Sequence, residues 1–236
     1  MLWPFPFVDP VYLLYALPAL LLALYAQWRV HHTFNKYAPA VNAWGVTGAA
    51  AARRLLDAAG LYQVEIERVP GHLTDHYDPS AKVLRLSDST YASPSVAALG
   101  VVAHEVGHAI QDAVAYIPMR LRQGLVPVAT IGSNLGYVLF LLGLVMQATG
   151  LAVIGLALFS SAAAFALVTL PVEFNASRRA LGLLRDTGLV APHEIDWARE
   201  VLDAAALTYV AGLAQAIAQV FYFLHLLLAH RSHAEE

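Results

Sequence analysis

The stretch Ala103-His104-Glu105-Val106-Gly107-His108-Ala109 reads H-E-x-x-H inside an apolar segment. On a helix, residues four apart lie on one face, one turn above the other, so His104 and His108 can direct two imidazoles at one metal ion. Glu105 then projects beside them, where it can hold and deprotonate a water molecule, as in zinc proteases. A solvent-facing helix with ordinary polar residues is the alternative, but the small and apolar flanks favour a buried helix whose imidazoles need partners.

The composition indicates a membrane protein with a modest aqueous part. Of the 236 residues, 58% are hydrophobic and only 13% are charged, whereas soluble domains average about 25% charged residues. A net charge of −3 gives no signature of nucleic-acid binding. Because the chain has no cysteine, disulfides and thiolate ligands are excluded, and a metal would be held by His, Asp or Glu, which suits zinc.

Four apolar runs are long enough to span a membrane. We therefore predict the following organisation: an N-terminal tail 1–10, a first span 11–28, an aqueous domain 29–122, a hairpin of two spans 125–172, a polar segment with an amphipathic helix 173–205, a fourth span 206–229 and a tail 230–236. Basic residues follow the first apolar run, at Arg29 and Lys36, instead of preceding it. We expect a retained anchor and not a cleaved signal peptide.

The distribution of basic residues predicts the topology. Of the 14 Lys and Arg residues, nine lie between Arg29 and Arg122 and four between Arg178 and Arg199. Under four spans these two groups fall on the same side of the membrane, which the positive-inside rule makes cytoplasmic. Both termini are then expected outside, in a bacterial-type plasma membrane.

Local patterns predict a small mixed domain around the H-E-x-x-H helix. A helix is expected over 46–59, a strand over 64–69, and a hairpin from the extended pieces 73–78 and 82–86. The metal-motif helix is expected to start at Ser93-Pro94, with Ser93 as N-cap, to run to Tyr116 and to end before Pro118.

A catalytic zinc usually takes three protein ligands and keeps a fourth position for water. Glu173 directly follows the third span, on the side predicted for the H-E-x-x-H domain. A lone carboxylate in such an apolar stretch is costly unless it is paired or bound. Glu173 is therefore our candidate third ligand, and an interfacial glutamate paired with Arg178 or Arg179 is the alternative.

Four segments carry a resemblance to a known family. They are Gly71-His72-Leu73-Thr74-Asp75-His76-Tyr77-Asp78-Pro79, Ala103 to Gln111, Thr169 to Ala180, and Ala204 to Ala211. On these segments the chain resembles the YugP-like membrane zinc metallopeptidases, also called putative neutral zinc metallopeptidases, nearly from end to end. The third segment looks like the family's second metal motif, which implies Glu173 as a ligand. More distantly, it is similar to the Glu-x-x-x-Asp pattern of the HtpX-like gluzincins, but Ser177 stands where they have Asp.

The resemblance implies a mainly α membrane protein with four transmembrane helices plus a small α+β, zincin-like domain that carries the H-E-x-x-H helix. It also implies one Zn²⁺ per chain on His104, His108 and Glu173. The implied activity is that of a membrane-embedded endopeptidase, with protein or peptide substrates that could include membrane proteins. The lipid bilayer is an expected partner, while an oligomer or a membrane-protein partner stays open.

We expect Glu105 to accept the proton of the attacking water and to deliver it to the leaving amine. A further donor should stabilise the oxyanion, and His76, Tyr77 and Arg178 are the candidates, although His76 could instead be structural. The strand at 73–77 could take an extended substrate along its edge, or it could simply cover the core. Three further polar residues either orient ligands or cap helices: Asp112, Asn175 and Ser177.

Two other functions fit parts of the pattern. In an intramembrane site-2-type protease the metal helix itself, from Ser95 to Ile117, would span the bilayer. Three points argue against this: the residues before it form a soluble-looking hairpin, the number of spans would become five, and Glu173 would have to meet His104 within the membrane. A non-catalytic metal-binding scaffold is the second alternative, but a purely structural site has no need of Glu105.

Overall fold

The computed structural model describes residues 10–234 of the chain, with side chains described for residues 10–230. The predicted N-terminal tail lies outside the described residues except for Pro10, as do the last two residues of the predicted C-terminal tail. The described part is mainly helical and contains the following elements: α1 Pro10–Tyr37, α2 Gly48–Ala58, β1 Glu65–Val69, β2 His76–Asp78, β3 Val83–Ser87, α3 Asp88–Tyr91, α4 Val96–Ala113, α5 Ile117–Val145, α6 Thr149–Phe159, α7 Ser161–Asp186 and α8 Glu194–Ala234.

Four helical stretches in the described part are long and apolar enough to cross a membrane. They are Pro10–Tyr37, Ile117–Val145, Thr149–Asp186 and Glu194–His230. This agrees with the prediction of four spans and a mainly α membrane protein. The helix of the H-E-x-x-H motif, α4, is not among these four.

Residues 27–120 and 171–207 form one of the two compact units into which the described chain divides. Its sheet has the strand order β1-β3-β2, with β1 parallel and β2 antiparallel to β3. The predicted hairpin is thus present as β2 and β3, with Tyr77 opposite Leu84. Buried side chains of the sheet, α2 and α4 share one apolar core, which includes Leu55, Leu84 and Leu99.

The other unit contains residues 121–170 and the described parts of 1–26 and 208–236. It has its own apolar cluster, built around Phe140, Tyr222 and Phe223. The rings of Phe140 and Phe223 stack with their centroids 4.4 Å apart. Aromatic packing therefore contributes to holding these apolar helices together.

The metal-motif helix begins two residues later than predicted. Ser95 is its N-cap, because the Ser95 hydroxyl accepts a hydrogen bond from the Ala98 N–H at 3.1 Å. The helix ends at Ala113. Pro118 does not end this helix but lies in the first turn of α5, where a missing N–H costs no intrahelical hydrogen bond.

Polarity changes in the sequence do not coincide with helix ends. The predicted amphipathic helix and fourth span are one uninterrupted helix, α8, of 41 residues. The polar stretch after the third span likewise continues α7 to Asp186. The second span of the predicted hairpin 125–172 is divided between α6 and α7 at Ser160. The first part of α8 contains neither Gly nor Pro, so nothing in its backbone chemistry requires a break.

Candidate active site

Helix α4 places the two histidines one turn apart on a buried face. His104 and His108 are each 9% exposed, and their ring centroids lie 4.7 Å apart at an interplanar angle of 89°. The surrounding residues of α4, among them Val102, Ala103 and Val106, are fully buried in the core of this unit. The imidazoles therefore face protein and not bulk water, as the apolar flanks predicted.

Helix α7 brings Glu173 to the same point. Its carboxylate Oε2 lies 3.2 Å from His104 Nε2 and 3.5 Å from His108 Nε2. Glu173 is 1% exposed. One ligand atom from each of the three residues lies within 4.8 Å of the other two. The structure thus brings together the three residues that the sequence analysis proposed as metal ligands.

Gly107, between the two histidines, permits this approach of α7. A Cβ atom at position 107 would lie 2.7 Å from the Ala176 carbonyl oxygen, a distance at which backbone must shift. Ala176 is fully buried on α7, one turn after Glu173. The glycine of the motif is therefore a packing requirement of the site.

Each histidine has a second polar partner at its other ring nitrogen. His104 Nδ1 lies 3.2 Å from the Ser177 hydroxyl, and His108 Nδ1 lies 2.9 Å from Gln111 Oε1. Such partners orient metal-binding imidazoles and select their tautomer. Ser177 was among the predicted orienting residues, whereas Gln111 was missed; its position three residues after His108, on the same helix face, was the available signal.

Glu105 occupies the other side of α4, toward strand β2. The Tyr77 N–H donates a hydrogen bond to Glu105 Oε2 at 3.0 Å. Desolvation raises the pKa of the Glu105 carboxyl above its ordinary value of 4.5, against the opposing effect of the two histidines. A carboxylate with a raised pKa is a better proton acceptor at neutral pH.

The Tyr77 hydroxyl points to a different acceptor. It donates to Asp112 Oδ2 at 2.7 Å, and Lys82 Nζ lies 2.5 Å from the same oxygen. Burial raises the pKa of the Tyr77 hydroxyl far above its ordinary value, so it remains a donor. Asp112, expected to orient a ligand or to cap a helix, contacts Tyr77 of β2 and Lys82 of the turn between β2 and β3.

The remaining oxyanion candidates, His76 and Arg178, are exposed. His76 Nδ1 lies 2.9 Å from the Thr74 carbonyl oxygen, and Arg178 donates to the carbonyl of Phe174 on its own helix at 3.4 Å. These contacts are local in the chain. They fit the structural interpretation of His76.

The segment Gly71 to Pro79 builds the strand that faces Glu105. The Asp75 carboxylate accepts hydrogen bonds from the Ser87 N–H and the Ser87 hydroxyl, both at 2.8 Å. Asp78 accepts from two N–H groups of the turn after β2 and from Arg85. Arg85, and after it the two turn N–H groups, lower the pKa of Asp78 to about 2. These contacts fix the β2 segment to β3.

The three buried ligand atoms fit zinc. Ligands in a tetrahedron about 2.1 Å from a common ion lie about 3.4 Å from one another, and the two distances from Glu173 to the imidazoles are 3.2 and 3.5 Å. Two imidazole nitrogens and one carboxylate oxygen are also the donor set of catalytic zinc sites that retain an open position. The fit concerns both the chemistry and the spacing of the donors.

Residues 12–228 match the family described as "Putative neutral zinc metallopeptidase". The chain is also similar to "Putative membrane protease YugP" of Bacillus subtilis (strain 168), with 41% identity over 221 residues, 94% of this chain and 98% of that protein. No solved structure matches the chain. The resemblance indicated by the four sequence segments is confirmed.

Proposed function

This chain belongs to the putative neutral zinc metallopeptidase family, and from this premise we propose that it is a membrane-embedded, gluzincin-type zinc endopeptidase. The observation that supports the proposal most strongly is the buried convergence of His104, His108 and Glu173. Glu105 lies on the same helix, with its carboxylate held by an N–H of β2. One Zn²⁺ per chain on the three converging residues completes the proposed site.

Zinc bound to the three ligands supplies a Lewis acid that polarises a carbonyl group and lowers the pKa of water. The Glu105 carboxylate accepts the proton of the attacking water and later delivers it to the leaving amine. The Tyr77 N–H holds Oε2 of this carboxylate in place. The half-buried Ser177 and the buried Gln111 keep the imidazoles in one orientation.

Strand β2 is the proposed docking edge for an extended substrate. It is the terminal strand of the order β1-β3-β2, so one of its edges is not paired within the sheet. The Tyr77 N–H points to Glu105 and not to β3, which places this edge beside the proposed base. A peptide added along β2 would have its backbone next to Glu105.

We place the site on the cytoplasmic face, with both termini outside, because thirteen of the 14 basic residues lie in 29–122 and 178–199. The alternative of an intramembrane site-2-type protease has less support. Helix α4 shares its apolar core with the sheet and α2, and it is not among the four candidate spans of the described chain.

The test is cleavage of unfolded casein by the purified, zinc-loaded full chain in detergent, compared with Glu105→Gln. A glutamine retains an acceptor for the Tyr77 N–H but cannot accept the proton, so cleavage should fall by about 10²–10⁴-fold while zinc binding persists. Glu67→Gln makes the same change at an exposed residue of the same domain, and this variant should cleave casein like the wild type.

Equal cleavage by Glu105→Gln and the wild type would refute Glu105 as the base. Zinc binding without cleavage of casein or of an unfolded membrane protein would favour the non-catalytic scaffold. Cysteine labelling at positions 88 and 120, in this cysteine-free chain, separates the two protease alternatives. Labelling from opposite sides of the membrane would favour the intramembrane type.

A further inference from the structure

Gln111 is a fully buried polar side chain at the point where α4 meets α7. Its exposed fraction is 0%. The amide nitrogen Nε2 donates to the Val172 carbonyl at 2.8 Å and to Asn175 Oδ1 at 3.0 Å, while Oε1 lies 2.9 Å from His108 Nδ1. A buried amide with this many partners holds its neighbours in one arrangement.

The partners determine which way the amide points. The Val172 carbonyl can only accept a hydrogen bond, so the Gln111 amide nitrogen must face it. Asn175 Oδ1 also accepts from the Arg179 Nε at 2.8 Å, which makes that oxygen an acceptor for Gln111 as well. The Gln111 oxygen is therefore the atom that faces His108.

This orientation decides the tautomer of His108. A carbonyl oxygen can only accept, so His108 Nδ1 must carry a proton and donate it to Gln111 Oε1. The lone pair of the neutral ring then lies on Nε2, the atom 3.5 Å from the Glu173 carboxylate. The Nε2 lone pair and the Glu173 carboxylate are two acceptors that face each other, so a cation belongs between them. A neutral imidazole nitrogen is the form that binds a metal ion.

We propose that Gln111 is a positioning residue that presents His108 Nε2 to the metal and ties the helix of Glu173 to the helix of the histidines. The inference rests on the proposed zinc site. The hydrogen bond from Gln111 to the Val172 carbonyl adds to the contact with His108, because Val172 immediately precedes Glu173 on α7. One side chain thereby sets the orientation of one ligand and the backbone position of another.

The test is the zinc affinity of the purified full chain in detergent, measured by competition with a chromogenic chelator. Gln111→Met has a similar length but no polar atoms for these contacts, and its affinity should fall by about 10–100-fold. Gln111→Glu keeps an acceptor for the His108 N–H but loses the donor to α7, so its zinc affinity should lie between those of Gln111→Met and the wild type. Gln63→Met, the same change at an exposed position, should bind zinc like the wild type.

Thermal unfolding of the zinc-free variants distinguishes a lost fold from a lost ligand orientation. If Gln111→Met does not fold, Gln111→Asn takes its place with the same expectation, because it keeps the amide but is one methylene too short to reach both helices. Wild-type affinity in a folded Gln111→Met, or equal losses in the Met and Glu variants, would overturn the inference. Failure of the wild type to bind zinc would overturn the proposed metal site and this inference with it, whereas casein cleavage has no bearing on either result.

Discussion

The two sides of α4 are built differently. The side toward α7 is closed: the proposed ligands His104 and His108 contact the buried carboxylate of Glu173, and Gly107 lets the two backbones approach closely. The side toward β2 is partly open, and it is held by a backbone N–H to Glu105 and by an exposed lysine on Asp112. A metal site needs fixed, desolvated ligands, whereas a proton-transferring base needs access to water and substrate.

This difference predicts that changes on the α7 side alter zinc binding, while changes on the β2 side alter cleavage or acid stability and leave zinc in place. The largest effect should come from Glu173→Gln. Loss of the carboxylate removes a proposed ligand from a buried site, so zinc affinity should fall by more than the roughly 100-fold that loss of an orienting partner costs. Competition with a chromogenic chelator measures this zinc affinity.

The matched control for that change is Glu194→Gln. Glu194 is also buried, at 3% exposed, but its carboxylate accepts the Ala191 N–H at the start of α8. Its variant should be less stable because the helix loses a charged cap, with unchanged zinc affinity. Equal zinc affinities in the wild type and Glu173→Gln would show that α7 supplies no ligand.

Gly107→Ala should have the next largest effect. The added Cβ would lie 2.7 Å from the Ala176 carbonyl oxygen, so α4 and α7 must separate. Such overpacking typically costs about 1–3 kcal/mol, and the separation should also weaken zinc binding. Thermal unfolding without zinc and chelator competition measure the two effects.

Gly182→Ala is the control for this change, since a Cβ at position 182 of α7 meets nothing within 4 Å. There the alanine should stabilise the helix by up to about 1 kcal/mol. A destabilised Gly182→Ala, or a Gly107→Ala that is as stable as the wild type, would contradict the proposed role of close helix packing.

The sequence predicted the convergence of the three proposed ligands better than it predicted the contacts that support them. His104 and His108 follow from a four-residue helical period, and Glu173 follows from the cost of a carboxylate after an apolar span. Gln111 was missed because the proposed positioning role of its side chain depends on a contact with the Val172 carbonyl, 61 residues away in the sequence. No periodic pattern encodes such a contact.

The same contrast between local features, which were predicted, and tertiary features, which were not, applies to the fold. The four spans and the hairpin were predictable from local polarity and turn residues. The continuity of α8 was not, because a change from polar to apolar composition was interpreted as a helix boundary, although a helix can continue through it. The pairing of β1 beside β3 was also not predicted, because parallel partners are set by tertiary packing and not by a local turn.

Tyr77→Phe is a change of intermediate size on the β2 side. It removes the hydroxyl donor to Asp112 but keeps the ring in the core and the backbone N–H on Glu105. The free energy of unfolding should fall by about 0.5–1.5 kcal/mol, zinc affinity should stay unchanged, and any loss of casein cleavage should be far smaller than that of Glu105→Gln. A loss of zinc affinity would show that the two sides of α4 are not independent.

The smallest effect should come from Asp78→Asn, and it should depend on pH. The hydrogen bond from Arg85, together with those from two N–H groups of the turn, holds the pKa of Asp78 at about 2, below its ordinary value of 3.8. A carboxyl with a lowered pKa in the folded state stabilises the fold fully above its unfolded pKa, and this contribution is lost as the pH falls through the folded value. The zinc-free wild type should therefore unfold at a slightly higher temperature than Asp78→Asn at pH 6, and the difference should shrink between pH 4 and pH 2. Because Asn keeps an acceptor for the N–H groups of the turn, the turn itself should persist, so a difference independent of pH would mean that the ion pair with Arg85 does not hold β2.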